Sequence, residues 1–238
     1  MTGRTQRIVD ISLPLSAATY RNNLPRTLVE AFQDRPIGFE IDPLIERGAS
    51  FSVGQVARGV KMRLHAGSHI DAPEHWIAGG KQIQDLPLSS FIGRAAIADL
   101  TQSGVKAITA EHLEYAVGDR LQPGERLLIR TDWNDGQAQM TVEAWKGGSP
   151  FMTSSALDWC VARRPVIVGI DFYHGAAAPG TDHSRMFESC MAGAGILTLT
   201  NLVNLKSVHK SNVTLIAFPL ALHGVEASPV RAIVLEDE

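Results

Sequence analysis

Residues 65–75 read His-Ala-Gly-Ser-His-Ile-Asp-Ala-Pro-Glu-His, and this stretch restricts both the fold and the chemistry of the 238-residue chain. Three of the eight histidines and two carboxylates fall within it. The preceding Lys61-Met62-Arg63-Leu64 alternates polar and apolar, as a half-buried strand does. Gly67 disfavours helix and permits a backbone bend. In extended chain, His69 and Asp71 point to the same side, and His65 joins them across the bend. Two imidazoles and one carboxylate converging on a point match a catalytic metal centre, which takes three protein ligands and leaves a position for water. These ligand types leave zinc, manganese and iron open.

The residues that follow predict a helix start. Asp71 stands as N-cap, Pro73 lies in the first turn, and Glu74, three residues after the cap, reads as part of the capping. His75 would then lie one turn past Asp71 on the same face. A histidine beside a metal site suits a general acid or base. Residues 76–80 read as a short helix with a glycine stop. Trp76 packs in the core or forms a wall for substrate.

The stretch resembles the H-x-G-[TS]-H-x-D-x-P-x-H signature of the cyclase-family metal-dependent hydrolases, a family that includes bacterial kynurenine formamidases and isatin hydrolases. Every defined position matches, with Ser68 where Thr is commoner. Asp10-Ile11-Ser12-Leu13-Pro14-Leu15 is similar to the way the family begins, and Ala227-Ser228-Pro229-Val230-Arg231-Ala232-Ile233 to the way it ends. The resemblance thus spans nearly the whole chain. It implies His65, His69 and Asp71 as ligands of one divalent ion, zinc or manganese, and His75 as the catalytic acid/base. It also implies a small-molecule substrate, a homodimer or homotetramer, and an α/β fold of the family's swivelling β/β/α kind. In that fold a mixed β-sheet core flanked by helices forms a single domain over residues 1–238.

One region departs from the family pattern. Binuclear relatives build a second metal site from a His and, further along the chain, a Glu that follows a G-[IM]-x-[IL]-[LVI] run. Here Gly195-Ile196-Leu197-Thr198-Leu199 leads to Thr200 at the Glu position, and the same spacing puts Glu188 at the His position. A threonine hydroxyl is a poor metal ligand. The second metal therefore loses its usual pair, and Glu188, Asp182 and His183 are the replacements the neighbourhood offers.

Strands are expected over residues 8–13, 51–64, 94–100, 125–131, 165–171, 213–220 and 230–235. Helices are expected from the Thr109 cap through Val117 and from Thr153 to Arg164. The continuous apolar run 165–171 reads as a strand buried on both faces. Asp171 at its end orients a ligand histidine or holds a loop. Residues 21–50 are the least regular part. Tyr20, at its start, lines a pocket or sits on the surface, and Trp133, in a loop after a strand, is a pocket candidate.

Net charge of −3 supplies no basic field for nucleic acid and no polybasic patch for a membrane. No apolar run approaches the roughly 18 residues of a membrane span. The beginning of the chain has no secretory apolar segment, and two widely spaced cysteines fit a reducing, cytoplasmic setting. The leading functional expectation is a metal-dependent hydrolase of an amide, lactam or lactone, with metal-bound water as nucleophile. The alternatives are a non-haem Fe(II) oxygenase, which also uses two histidines and one carboxylate, and a non-catalytic metal- or small-molecule-binding homologue.

Overall fold

The computed structural model describes residues 6–15, 39–42, 59–139, 144, 147–173 and 183–237. Its strands are β1 (Gln6–Asp10), β2 (Phe39–Asp42), β3 (Gly59–Met62), β4 (His69–Asp71), β5 (Ile92–Asp99), β6 (Ala107–Ile108) and β7 (Arg126–Arg130). They continue with β8 (Phe151–Met152), β9 (Ile167–Ile170), β10 (Leu197–Thr200), β11 (Asn212–Ile216), β12 (Ala227–Pro229) and β13 (Ile233–Asp237). The described helices include α1 (Ala110–Ala116), α2 (Ser154–Arg163) and α3 (His183–Gly193).

Nine strands form one mixed sheet in the order β1-β13-β11-β5-β7-β9-β10-β4-β12. Its centre, β5-β7-β9-β10, is parallel, and both flanks are antiparallel. The parallel strands are connected through helices, as parallel pairing requires, and β7 and β9 are buried almost throughout.

Two apolar layers cover the sheet. One collects Ile70, Leu128, Leu197, Leu199, Leu215 and Val234. The other collects Leu127, Ile129, Val168 and Ile170 with Leu113 of α1, Leu157 and Cys160 of α2, and Phe187 and Met191 of α3. Helices α1, α2 and α3 thus share one face. Period-two alternation decides which side chain meets which layer.

Two terminal sequence signatures zip together at the sheet edge. Ile11 N donates to Ala232 O (3.0 Å), Ala232 N to Ser12 Oγ (2.8 Å), and Ser12 Oγ to Ala232 O (3.0 Å). Arg231 Nε donates to Asp10 Oδ2 at 2.9 Å.

Several boundaries differ from the sequence expectation. The helix expected at Asp71 is a single 3-10 turn, Pro73–His75, whose N-cap position is Ala72 and carries no side-chain cap. Asp71 belongs to β4, because pairing on both sides outweighs its local capping preference. Glu74 accepts instead from Gln82 Nε2 (2.8 Å). Residues 76–80 form turns and bends rather than a helix, with Gly79 at φ +74. Thr109 caps α1 as expected, accepting from His112 N, and the His112 ring accepts in return from Thr109 N (3.1 Å). Thr153 stands at the N-cap of α2, yet its hydroxyl donates to Ile108 O (2.8 Å). Of the strand expected over 51–64, residues 51–58 lie outside the described residues.

Gly169 in β9 marks the tightest packing at the centre of the sheet. A Cβ there would stand 2.6 Å from Leu128 Cδ2 and 3.0 Å from Leu202 Cδ1, both on fully buried side chains. Gly169→Ala should cost about 1–3 kcal/mol of stability, the usual price of overpacking. Urea unfolding checks this, and an unchanged midpoint would mean that the central strands are less closely packed than described.

Candidate metal centre

His69 and Asp71 are presented by β4, which is inserted antiparallel between β10 and β12. Pairing sets His69 opposite Thr200 and Asp71 opposite Thr198. Ile70 points into the first apolar layer, so His69 and Asp71 point to the opposite face, the one carrying α3. That helix packs on β10 and on the Pro73–His75 turn.

His65 enters from the turn between β3 and β4, just before the bend at Gly67. The bend requires glycine. Its φ is +65, and a Cβ would fall 2.6 Å from Leu15 Cδ2. Gly67 O accepts from His69 Nδ1 (2.8 Å) and from Asn201 Nδ2 (2.9 Å). Ser68 Oγ accepts from Leu13 N and donates to Asn201 O, both at 2.8 Å. The small residues of the motif therefore tie the β4 bend to the chain leaving β1 and β10.

Three ligand-type atoms converge. His65 Nδ1 lies 2.9 Å from Asp71 Oδ1, and His69 Nε2 lies 3.4 Å from the same oxygen. His65, His69 and Asp71 offer ligand atoms all within 4.8 Å of one another. A carbonyl only accepts, so the bond from His69 Nδ1 to Gly67 O makes Nδ1 the protonated nitrogen and leaves the Nε2 lone pair facing Asp71. Thr198 Oγ1 donates to Asp71 Oδ2 (3.1 Å). Asp71 Oδ1, by contrast, is buried with no aligned hydrogen-bond donor among the described residues. A buried carboxylate oxygen facing two imidazole nitrogens at 2.9 and 3.4 Å completes an N, N, O donor set that fits a divalent ion.

Electrostatics agree with this layout. Burial alone would raise the Asp71 carboxyl, but the charge of His69, the hydrogen bond and charge of His65, and the charge of His75 outweigh it and hold Asp71 well below the usual carboxylate range. At His65, burial pulls the imidazole down, while Asp71 and Glu226 pull it up further, for a net rise.

His75 sits beside the three. Its ring centroid is 4.3 Å from that of His65 and 5.1 Å from that of Trp76. Thr200 is fully buried, with Oγ1 3.1 Å from His69 Nε2. Glu188 is buried on α3. His183 begins α3 with its side chain outside the description, and Asp182 and Tyr20 lie outside the described residues. Trp133 lines a cavity of about 190 Å³ with Leu100, Val105, Lys106 and Pro150, and none of the site histidines lines that cavity. The Asp171 carboxylate accepts from Thr131 N (2.8 Å), Thr131 Oγ1 (2.6 Å) and Asp132 N (2.8 Å), so of its two expected roles it performs loop-holding. Sequence reasoning missed Glu226, whose Oε1 lies 3.1 Å from His65 Nε2. Its one available signal was its position immediately before the Ala-Ser-Pro signature.

Comparison with known proteins gives the site its family. Residues 9–175 match the Cyclase family model, described as "Putative cyclase". The chain belongs to the cyclase family. Among its relatives, a kynurenine formamidase of Bacillus cereus is 30% identical, covering 97% of this chain and 98% of its own. A kynurenine formamidase of Bacillus cytotoxicus is 31% identical over 84% of this chain and 88% of its own. The fold is also that of an isatin hydrolase solved with the product analogue thioisatinate, at TM-score 0.81, 22% identity, and 98% and 93% coverage of the two chains. Cyclase-family membership and the mixed-sheet fold thus stand as the sequence signatures implied.

The metal-free protein should show a specific pH dependence. Burial pushes Asp171 up to about 7, against the donors of Thr131 and Asp132, and His65 is also raised. A group whose pKa is higher in the folded chain stabilises fully below its unfolded value and loses that contribution as pH rises through the folded value. For Asp171 the window runs from 3.8 to about 7, and for His65 it begins at 6.5. Stability without metal should therefore fall from about pH 5 to about pH 7, and further above that as His65 loses its proton. Urea unfolding in the presence of chelator checks this, and a profile that rises over that range contradicts it.

Proposed function

We propose that this chain, as one domain over residues 1–238, is a metal-dependent hydrolase that opens the C–N bond of a small amide or lactam, or the C–O bond of a lactone. His65, His69 and Asp71 hold one divalent ion, zinc or manganese, and His75 is the general acid/base. The observation that carries the reading is Asp71 Oδ1, a buried oxygen without an aligned donor between two imidazole nitrogens. The names of the relatives and of the fold neighbour, kynurenine formamidase and isatin hydrolase, support a non-peptide C–N bond as the target.

Bound there, a divalent ion would polarise the substrate carbonyl and make hydroxide available near neutral pH. The protein's own part follows from its geometry. The β4 register fixes His69 and Asp71, and the Gly67 bend brings His65 to them. His75 takes the proton of the attacking water at a ring nitrogen and returns it to the leaving nitrogen or oxygen. Trp76, edge-on to His75, supports a planar or aromatic substrate against that wall. Tyr20 is a further candidate for the pocket. Trp133 belongs to it only if the cavity beside Val105 and Pro150 opens toward the histidines on binding.

One ion per chain is supported by Thr200, whose hydroxyl is turned on His69 and offers the second position no carboxylate. Glu188, Asp182 and His183 are the only residues we would recruit for a second ion. Cytoplasmic residence is supported by Cys160 and Cys190, which form no disulfide. Among the described residues no helix is long and apolar enough to cross a membrane. We also propose a homodimer or homotetramer, since the partly apolar stretch 20–39 needs cover. Light scattering that shows only monomer would sink that part.

Substitution separates the roles. His69→Ala should lose both metal and activity. His75→Ala should keep its metal and lose about 10²–10⁴-fold in turnover, the usual contribution of general acid–base catalysis. Thr200→Ala should leave metal content unchanged. Metal analysis and hydrolysis assays on N-formyl aryl amides, isatin-like lactams and lactones check all three. Metal loss in His75→Ala would make His75 a ligand and require another base.

A further inference from the structure

His69 and Asp71 are each fixed by a dedicated partner, Gly67 O and Thr198 Oγ1 respectively, and both sit in a strand paired on two sides. His65 lacks that support. It lies in a turn ahead of the glycine bend, and its side chain is 23% exposed against 3% for His69 and 4% for Asp71. A ligand on a turn needs something else to fix its ring.

Glu226 supplies it from the far end of the chain. It directly precedes β12, and its backbone carbonyl accepts from Ala72 N at 2.8 Å, extending the β4–β12 pairing by one step. This pairing brings its carboxylate to the outer side of His65, where Oε1 stands 3.1 Å from Nε2. The other ring nitrogen, Nδ1, faces Asp71 Oδ1 at 2.9 Å. The imidazole is thus held between two carboxylates, one on each nitrogen. An ionised carboxylate only accepts, so with an ion held between Nδ1 and Asp71 the bond to Glu226 would keep the ring proton on Nε2 and leave the Nδ1 lone pair for the ion.

We propose that Glu226 is a positioning residue that fixes the tautomer and ring orientation of His65, and through it the affinity of the centre for its metal. The proposal rests on the reading that His65, His69 and Asp71 hold a divalent ion. Metal-ligating histidines characteristically donate their second N–H to a carboxylate or carbonyl, and loss of that partner costs about 10–100-fold in metal affinity. A competing arrangement exists, because His65, His75 and Glu226 also bring ligand atoms within 4.8 Å of one another. If Glu226 were itself a ligand there, Nε2 of His65 would carry the lone pair and Nδ1 the proton. The two arrangements differ in the position of one proton.

The experiment is zinc binding to the full chain, by competition with a chromophoric chelator, for wild type, Glu226→Ala, Glu226→Gln and His65→Ala. It is paired with ¹⁵N–¹H spectra of the histidine rings in the zinc-loaded wild type. Melting of the metal-free proteins reports whether each variant folds. Positioning predicts that Glu226→Ala weakens zinc binding about 10–100-fold. Glu226→Gln, whose amide oxygen still accepts, should recover most of the loss, and the wild-type spectra should show His65 protonated at Nε2. Should Glu226→Ala fail to fold, the glutamine variant and the wild-type tautomer still decide the matter. Unchanged affinity in Glu226→Ala alongside zinc loss in His65→Ala would overturn this inference and leave the metal centre standing. Glutamine as damaging as alanine, or a proton on Nδ1, would make Glu226 a ligand and overturn it too. Failure of the wild type to bind zinc, manganese or iron would sink the reading beneath it.

Discussion

The chemistry of this protein depends on the pairing of one three-residue strand. β4 is clamped between β10 and β12, and its register alone sends Ile70 into the apolar layer and His69 and Asp71 to the other face. A slip of one residue would exchange those faces, burying two polar groups among leucines and emptying the site. Hydrogen bonds from the strand ends oppose such a slip. Val230 N donates to Ser68 O and Ala72 N to Glu226 O, one beyond each end of the strand. The cost of ordering two imidazoles and a carboxylate is thus met by backbone pairing and by the apolar contacts of Ile70.

The same pairing explains why the chain carries signatures at both ends as well as in the middle. The Asp10–Leu13 segment is tied to Arg231 and Ala232, and Ser68 reaches both Leu13 and Asn201. Residues that meet around His65, His69 and Asp71 are therefore supplied by the beginning, middle and end of the sequence. Thr198 and Thr200, on β10, hold Asp71 and pack against His69.

Much of this was legible in the sequence, and the rest was hidden for physical reasons. Strong apolar runs fixed β7 and β9 to within a residue or two, and the Thr109 cap fixed α1. The histidine–aspartate spacing pointed to the three side chains whose ligand-type atoms lie within 4.8 Å of one another. β4 and β12 are three residues each, too short for alternation to register against noise. Asp71 was misread as a cap because Asp-x-Pro-Glu favours a helix start locally, whereas the sheet captures Asp71 by pairing on both sides. α3 was missed because its Ser, Cys and Gly residues are weak helix formers, and it is held by Phe187 and Met191 against the sheet. Glu226 gave no local signal, since its partner His65 lies 161 residues away and reaches it only through sheet pairing.

The central claim is that one divalent ion is held by His65, His69 and Asp71 on the helix-bearing face of the sheet. Anomalous diffraction from crystals grown with zinc tests it most directly. The account predicts a single anomalous peak per chain, with His65, His69 and Asp71 each about 2.0–2.2 Å from it. A peak coordinated by Glu188 or Thr200, a second peak of equal height, or a peak that His65 does not reach would contradict it.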